Sequence, residues 1–180
     1  KERIYHSPFH YNDQVKLFVF RGSMNVNDPL FMNEIGSQIE KIFTSLKKRM
    51  LVLCTSFKQI LALKNYIEPK LKYNDYKLFV QAPGISRNVL VKSYLENPHS
   101  ILIGTSSFWE GVDFPGDKVE ILYIVKTPFE NPFDPMVQAQ IEDYKQRGED
   151  PFLQFQIPEA TMRFRQGFGR LIRNMDDTGI

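Results

Sequence analysis

Between Met50 and Val125, short apolar runs alternate with stretches of helical periodicity, and this alternation constrains the fold more than any other feature. Met50-Leu51-Val52-Leu53-Cys54 is apolar at every position. A strand with only one face buried would alternate polar and apolar residues, so this run predicts a strand buried on both faces. Lys77-Leu78-Phe79-Val80-Gln81, ended by Pro83-Gly84, predicts a second strand. Ser100-Ile101-Leu102-Ile103-Gly104 predicts a third, and Val119 to Val125 a fourth. Between them, Phe57 to Leu71 carries Phe57, Ile60, Leu61, Lys64 and Ile67 at helical spacing, and Ser86 to Leu95 forms a shorter helix stopped by Asn97-Pro98. Strands alternating with helices predict an α/β fold, a mostly parallel sheet flanked by helices and joined by right-handed crossovers. The length of 180 residues fits a single domain with a full core, so residues 1–180 are read as one unit.

The flanks are less regular. Residues 1–27 are rich in aromatics, with one strand candidate from Gln14 to Phe20. Asp28-Pro29 reads as an N-cap followed by proline at the first helical position, and Ile35, Ile39, Ile42, Phe43 and Leu46 follow at helical spacing. Residues 127–163 contain no obvious strand. Asp134-Pro135 opens a helix that runs to Gly148, Glu149 to Phe152 is a connector, and Ile157-Pro158 begins another helix. Asp176-Asp177-Thr178-Gly179-Ile180 reads as the start of a turn and a strand.

In an open parallel sheet, ligands bind outside the carboxyl ends of the strands. Three of those ends carry small or polar residues: Thr55-Ser56, Gln81-Ala82-Pro83-Gly84 and Thr105-Ser106-Ser107. One such end is ordinary helix capping; three on one edge point to a binding edge. Gly104 to Gly116 follows a buried strand directly, and backbone amides and hydroxyls there can hold a phosphate without a charged side chain. Glu110 and Asp113 suit the orientation of arginines or a hydrogen bond from a ribose. Alone, the pair could also serve acid–base hydrolysis. Trp109 could stack on a base or join the core.

Phe164-Arg165-Gln166-Gly167-Phe168-Gly169-Arg170-Leu171-Ile172-Arg173, read as a helix, has two faces. Phe164, Phe168, Leu171 and Ile172 fall on one side, and Gln166, Gly169, Arg170 and Arg173 on the other. The apolar side anchors; the other presents two guanidinium forks suited to a phosphate chain. Gly167 and Gly169 each cost a helix about 1 kcal/mol relative to alanine, which predicts that something approaches the backbone closely.

Composition sets outer bounds. Hydrophobic residues make up 42% and charged residues 24%, ordinary for a globular domain, and the net charge of +2 contains no polybasic run. Any nucleic-acid role must therefore rest on motifs. Cys54 is the only cysteine, so an intrachain disulfide or a four-thiolate iron–sulfur cluster within this chain is excluded. His6, His10 and His99 do not sit at metal-ligand spacing beside carboxylates, so no metal site is expected. With no run of eighteen apolar residues and no signal peptide, a cytoplasmic setting is expected.

Gln166-x-x-Gly169-Arg170-x-x-Arg173 resembles motif VI of superfamily 2 helicases, in the form found in the DinG/XPD family. Met50 to Ser56 resembles motif IV, and Gly104 to Gly116 resembles motif V in its Trp-Glu-Gly-Val-Asp form. Lys126-Thr127-Pro128-Phe129 with Asp134-Pro135 resembles the family's segment between motifs V and VI. Ser7-Pro8-Phe9 resembles its entry into the second motor domain. The similarity runs from about Ser7 to Gly179.

The resemblance implies the second, RecA-like (P-loop NTPase-type) motor domain of an ATP-dependent DNA helicase, as part of a longer protein. It implies that Arg170 and Arg173 meet the β- and γ-phosphates of ATP, with Gln166 and Gly169 at the same interface. It places Glu110, Gly111 and Asp113 near the nucleotide. It implies that Thr55, Ser56, Gln81, Thr105 and Ser106 touch single-stranded DNA. The chain contains no Gly-x-x-x-x-Gly-Lys-Ser/Thr loop and no Asp-Glu-x-His box. ATP and Mg²⁺ would therefore be bound mainly by a first motor domain, and this chain alone should not hydrolyse ATP. Two alternatives stay open. One is a nucleic-acid-binding module in a protein whose main activity is an amino-terminal exonuclease. The other is a self-contained hydrolase using Glu110 and Asp113.

Overall fold

The computed structural model describes residues 9–22, 24–26, 28–71, 76–105, 108 and 119–180. The four apolar runs become β1 (Met50–Leu53), β2 (Lys77–Val80), β3 (Ser100–Gly104) and β4 (Ile121–Ile124). They form one parallel sheet in the order β2-β3-β1-β4. The expected α/β class holds, and the register explains the absence of polar alternation. Met50, Val52, Ile101, Ile103, Ile121 and Tyr123 face one layer, packed against α2 (Phe31–Leu46) and α3 (Phe57–Leu71). Leu51, Leu53 and Leu102 face the other, with Leu90, Val91 and Tyr94 of α4 (Arg87–Glu96). Every residue of β1 and β3 is buried, so each strand pays for its backbone order with two apolar contacts per pair of residues.

Two glycines set the packing distances. A methyl group on Gly36 of α2 would lie 2.5 Å from the ring of Tyr66 on α3, so the glycine lets the two helices close on each other. A methyl group on Gly104, at the end of β3, would lie 2.5 Å from the ring of Phe108. Phe108 is fully buried in the second layer, and its N–H donates to the Thr105 carbonyl at 2.9 Å. The chain can therefore turn sharply off β3 only with glycine at its last position.

The helices after β4 differ from expectation in detail. Asp134 caps α5 (Pro135–Gln146) by accepting the N–H groups of Met136 and Val137, and Gly148 takes a φ of +74° just beyond its end. The supposed connector at 149–152 is shorter than expected. Asp150-Pro151 repeats the Asp-Pro opening, with the Asp150 carboxylate accepting the Phe152 N–H at 2.8 Å. A π-helical stretch, Phe152–Gln156, then runs straight into α6 (Ile157–Phe168), and the Ile157 N–H reaches back five residues to the Phe152 carbonyl. The wider turn precedes Pro158, which has no N–H to give. Likewise α2 starts at Phe31 because Asp28 spends its carboxylate on the Leu30 N–H at 2.8 Å, closing a turn before the helix.

The strand expected from Gln14 to Phe20 is not formed. Gln14 ends a short helix, α1 (Tyr11–Gln14), and only Val15 pairs, as a single parallel bridge to Gly179. Apolar character alone does not make a strand; a partner edge must lie alongside. The strand expected to begin within 176–180 is not formed either, although the Ile180 N–H donates to the Glu120 carbonyl and its carbonyl accepts the Leu122 N–H, at 3.1 and 2.8 Å. Among the described residues no helix is long and apolar enough to cross a membrane.

The Gly104 contact yields a test. Gly104→Ala should lower stability by about 1–3 kcal/mol, the usual cost of overpacking a filled core. Phe108→Leu in the same chain should recover part of that loss. Urea unfolding midpoints would show it, and an unchanged midpoint for Gly104→Ala would refute the contact.

Candidate functional site

The sheet order places β2, β3 and β1 side by side, so their carboxyl ends form one edge. The Gln81 N–H donates to Ile103, and the Cys54 N–H donates to Gly104 at 2.8 Å, so each strand end is zipped to its neighbour. Beyond the strands, two glutamines set two threonines. The Gln81 side-chain carbonyl accepts both the N–H and the hydroxyl of Thr105, at 2.7 and 3.1 Å. The Gln59 side-chain carbonyl accepts both the N–H and the hydroxyl of Thr55, at 2.9 and 3.2 Å. The structure thus brings Gln81 and Thr105 together, and sets Thr55 beside them in a matching clamp.

These bonds change what the edge can offer. The amide of Thr105 lies in the stretch expected to hold a phosphate, but it and the amide of Thr55 are already given to glutamine carbonyls. Ser56 differs. Its hydroxyl oxygen accepts the Gln59 N–H at 3.3 Å, which caps α3 and leaves the hydroxyl proton to donate outward. Thr55 and Ser56 are exposed, Gln81 is half-buried and Thr105 is buried. Sequence reasoning missed Gln59. The signal was present: Ser56-Phe57-Lys58-Gln59 is a Ser-x-x-Gln capping box at the start of a helix. Ser106, Glu110, Gly111 and Asp113 lie outside the described residues.

The arginine segment departs from the expected continuous helix. Helix α6 stops at Phe168, and the Gly169 N–H donates to Arg165 at 2.8 Å. The next two N–H groups, of Arg170 and Leu171, reach back only three residues, to Gly167 and Phe168, each at 2.9 Å. The chain then leaves the helix. Two glycines in three residues weaken it there by about 2 kcal/mol in sum. The Asp177 carboxylate offers the following amides another partner, accepting the N–H groups of Arg173 and Asn174 at 2.7 and 2.8 Å. Gly169 is thus a helix end, and within the chain a methyl group there would meet the Arg165 and Gln166 carbonyls no nearer than 3.4 Å.

The expected division into two sides survives the loss of helix. Leu171 and Ile172, only 3% and 4% exposed, sit in the second layer against the sheet, with Phe168 packed beside them. Phe164, at 36% exposed, contributes less than expected. Gln166 is exposed, and Gly169, Arg170 and Arg173 are half-buried. One turn before Gln166, Arg163 pairs with Glu130 and ties α6 to the segment before α5.

Two further residues hold this turn and were not singled out from sequence. Gln14, 7% exposed, donates its side-chain amide to the carbonyls of Asn174, Met175 and Asp177 at 3.2, 2.9 and 3.0 Å. Asp177, 6% exposed, is the carboxylate already described. No local pattern could have joined Gln14 to residues so distant in sequence.

With this geometry in place, comparison with known proteins is decisive. Residues 39–180 match the family described as the helicase C-terminal domain. The chain belongs to that family. This helicase C-terminal domain is 38% identical over 179 residues to the ATP-dependent DNA helicase YoaA of Haemophilus influenzae, covering 99% of this chain and 27% of that protein. It is 33% identical over 177 residues to the 3'-5' exonuclease DinG of Bacillus subtilis, covering 96% of this chain and 19% of that protein. The chain therefore spans about a quarter or less of the curated relatives it matches. Among solved structures, an XPD helicase shares the fold with a TM-score of 0.61 at 17% identity, over 82% of this chain and 26% of that one.

Cys54 is the one nucleophile of its kind, and the domain disarms it. Burial at the end of β1 pushes its thiol from an ordinary value of 9.0 up to about 12. Between those values the folded state keeps a proton that the unfolded state has lost, so stability should fall as pH rises through that window. Disulfide-exchange reagents should label Cys54 only after denaturation at pH 8. Rapid labelling of the native chain would contradict its placement.

Proposed function

We propose that this helicase C-terminal domain is the second, RecA-like motor half of a DinG/YoaA-type ATP-dependent DNA helicase, working in the cytoplasm. Residues 1–180 form that single half. Its partner is a first RecA-like domain in the same polypeptide, and its substrate is single-stranded DNA. The observation that carries this reading is the turn after α6. Leu171 and Ile172 are buried in the core while Arg170 and Arg173, on the preceding and following positions, are half-buried.

Two fixed guanidinium forks fit a phosphate chain and its developing negative charge. Among the described residues no three His, Cys, Asp or Glu side chains converge to hold a metal ion. ATP–Mg²⁺ is assigned mainly to the other motor half because this chain carries no Gly-x-x-x-x-Gly-Lys-Ser/Thr loop, and when bound it supplies the phosphoryl group and the metal's charge. Arg170 and Arg173 complete that site from across the cleft, Gln166 orients the interface, and Glu110, Gly111 and Asp113 flank the nucleotide. Thr55, Ser56, Gln81, Thr105 and Ser106 form the edge along which the DNA backbone runs, with the Ser56 hydroxyl as a direct donor.

In the full-length protein, Arg170→Ala or Arg173→Ala should lower DNA-stimulated ATP turnover by about 10³-fold or more, the lower end for arginine fingers. Lysine should not restore it, because the planar fork is lost. Stability should drop by about 1 kcal/mol or less, since neither side chain is in the core. Turnover and thermal unfolding measured together decide the matter: normal turnover refutes the role, and lost turnover with a large loss of stability makes the arginines structural.

The name of the Bacillus subtilis relative favours a second reading, in which the domain is a nucleic-acid-binding module beside an amino-terminal exonuclease. In either case binding to single strands should be sequence-tolerant and should weaken as salt rises. Fluorescence anisotropy with oligonucleotides of different sequence checks this, and strong sequence selectivity would count against both readings.

A further inference from the structure

The turn carrying the two arginines is held at both ends by the chain's amino-terminal segment. Before the turn, the Tyr11 ring meets the Phe168 ring edge-on, with centroids 5.4 Å apart. After it, Gln14 gathers three carbonyls, of Asn174, Met175 and Asp177, with one side-chain amide. An amide nitrogen has two hydrogens, so one must be shared among these acceptors. The Gln14 main chain joins in, its carbonyl accepting the Gly179 N–H at 2.9 Å. A methyl group on Gly179 would lie 2.3 Å from Leu171, so the two ends of the turn also touch each other.

Asp177 connects this clamp to the chemistry. The carbonyl of Asp177 is fixed by Gln14, while one carboxylate oxygen of Asp177 holds the N–H groups of Arg173 and Asn174. The direction in which the chain passes through Arg173 is therefore set by Asp177, and the place of Asp177 by Gln14. A buried clamp of this kind costs more to build than an apolar contact, because every polar atom in it must find a partner.

We propose that Gln14 and Asp177 are positioning residues for the arginine pair, acting on catalysis through the backbone of the turn. This rests on the arginine-finger reading given above. Misplacing a catalytic group by about 1 Å can cost about 10²-fold in rate. Gln14→Met keeps the length of the side chain and removes the donor. Asp177→Ala removes the acceptor, whereas Asp177→Asn keeps an oxygen for the two amides.

The test uses the full-length protein, with ATP and a single-stranded oligonucleotide. Gln14→Met and Asp177→Ala should each lower kcat for ATP by about 10- to 100-fold. KM for ATP and the affinity for the oligonucleotide should stay near wild type. Asp177→Asn should recover most of the loss, which also keeps the test alive if Gln14→Met fails to fold. The decisive arm is a double-mutant cycle: in an Arg173→Ala background, Asp177→Ala should add little further loss. Fully additive losses, or wild-type kcat in both Gln14→Met and Asp177→Ala, would overturn the proposal while leaving the arginine role intact. If Arg170→Ala and Arg173→Ala themselves turn over normally, the arginine reading fails first, and this proposal falls with it.

Discussion

The structure depends on burying a parallel sheet on both faces. One layer is simple: α2 and α3 are long, their apolar stripes are continuous, and together they cover Met50, Val52, Ile101 and Ile103. Among the described residues, the other layer has no second long helix to complete it. Beside α4 it is assembled from single residues brought in by irregular chain: Phe108, Val119, Leu171 and Ile172. That shortage of helix ties fold to function. The domain can finish its core only by drawing Leu171 and Ile172 against the sheet, and doing so carries Arg170 and Arg173 to a fixed place. The buried neighbours Leu171 and Ile172 thus carry the arginines with them.

A similar economy governs the strand-end edge. A strand that stops leaves backbone donors without ladder partners, and here two glutamine carbonyls take up those of Thr55 and Thr105. Each glutamine also takes the threonine hydroxyl, so the edge is rigid before any ligand arrives. Among the described residues, the Ser56 hydroxyl keeps a proton to donate outward. An edge of that kind suits weak, repeated contact with a polyanion better than tight, selective capture.

The sheet was legible in the sequence because its signal is local and redundant. Four runs of apolar residues needed no distant information, and β1 and β3 are as buried as their composition demands. The two-sided character of residues 164–173 was also legible, since Leu171 and Ile172 are apolar neighbours of two arginines. The helix end at Phe168 was misread because a glycine says only that a helix is weakened. What ends it is the competition from Asp177, a carboxylate that could equally have faced solvent. The Gln14 to Phe20 segment was misread for the complementary reason: apolar residues call for burial, but only a partner edge makes a strand. Gln14 itself was out of reach, because its partners lie near the opposite end of the chain. Residue chemistry alone points only to a phosphate-like anion for the arginines; that the anion is ATP is what the family resemblance proposes.

On the proposed reading, the arginine pair recognises charge that develops during phosphoryl transfer, and not ground-state nucleotide. The most direct measurement compares the affinity of the full-length protein for Mg-ADP with its affinity for Mg-ADP plus aluminium fluoride, in wild type and in Arg173→Ala. A group that acts in the transition state binds its mimic more tightly than the ground state. The account predicts that Arg173→Ala leaves the affinity for Mg-ADP unchanged and abolishes most of the extra affinity for the fluoride complex. Equal loss of both affinities, or loss of neither, would contradict it.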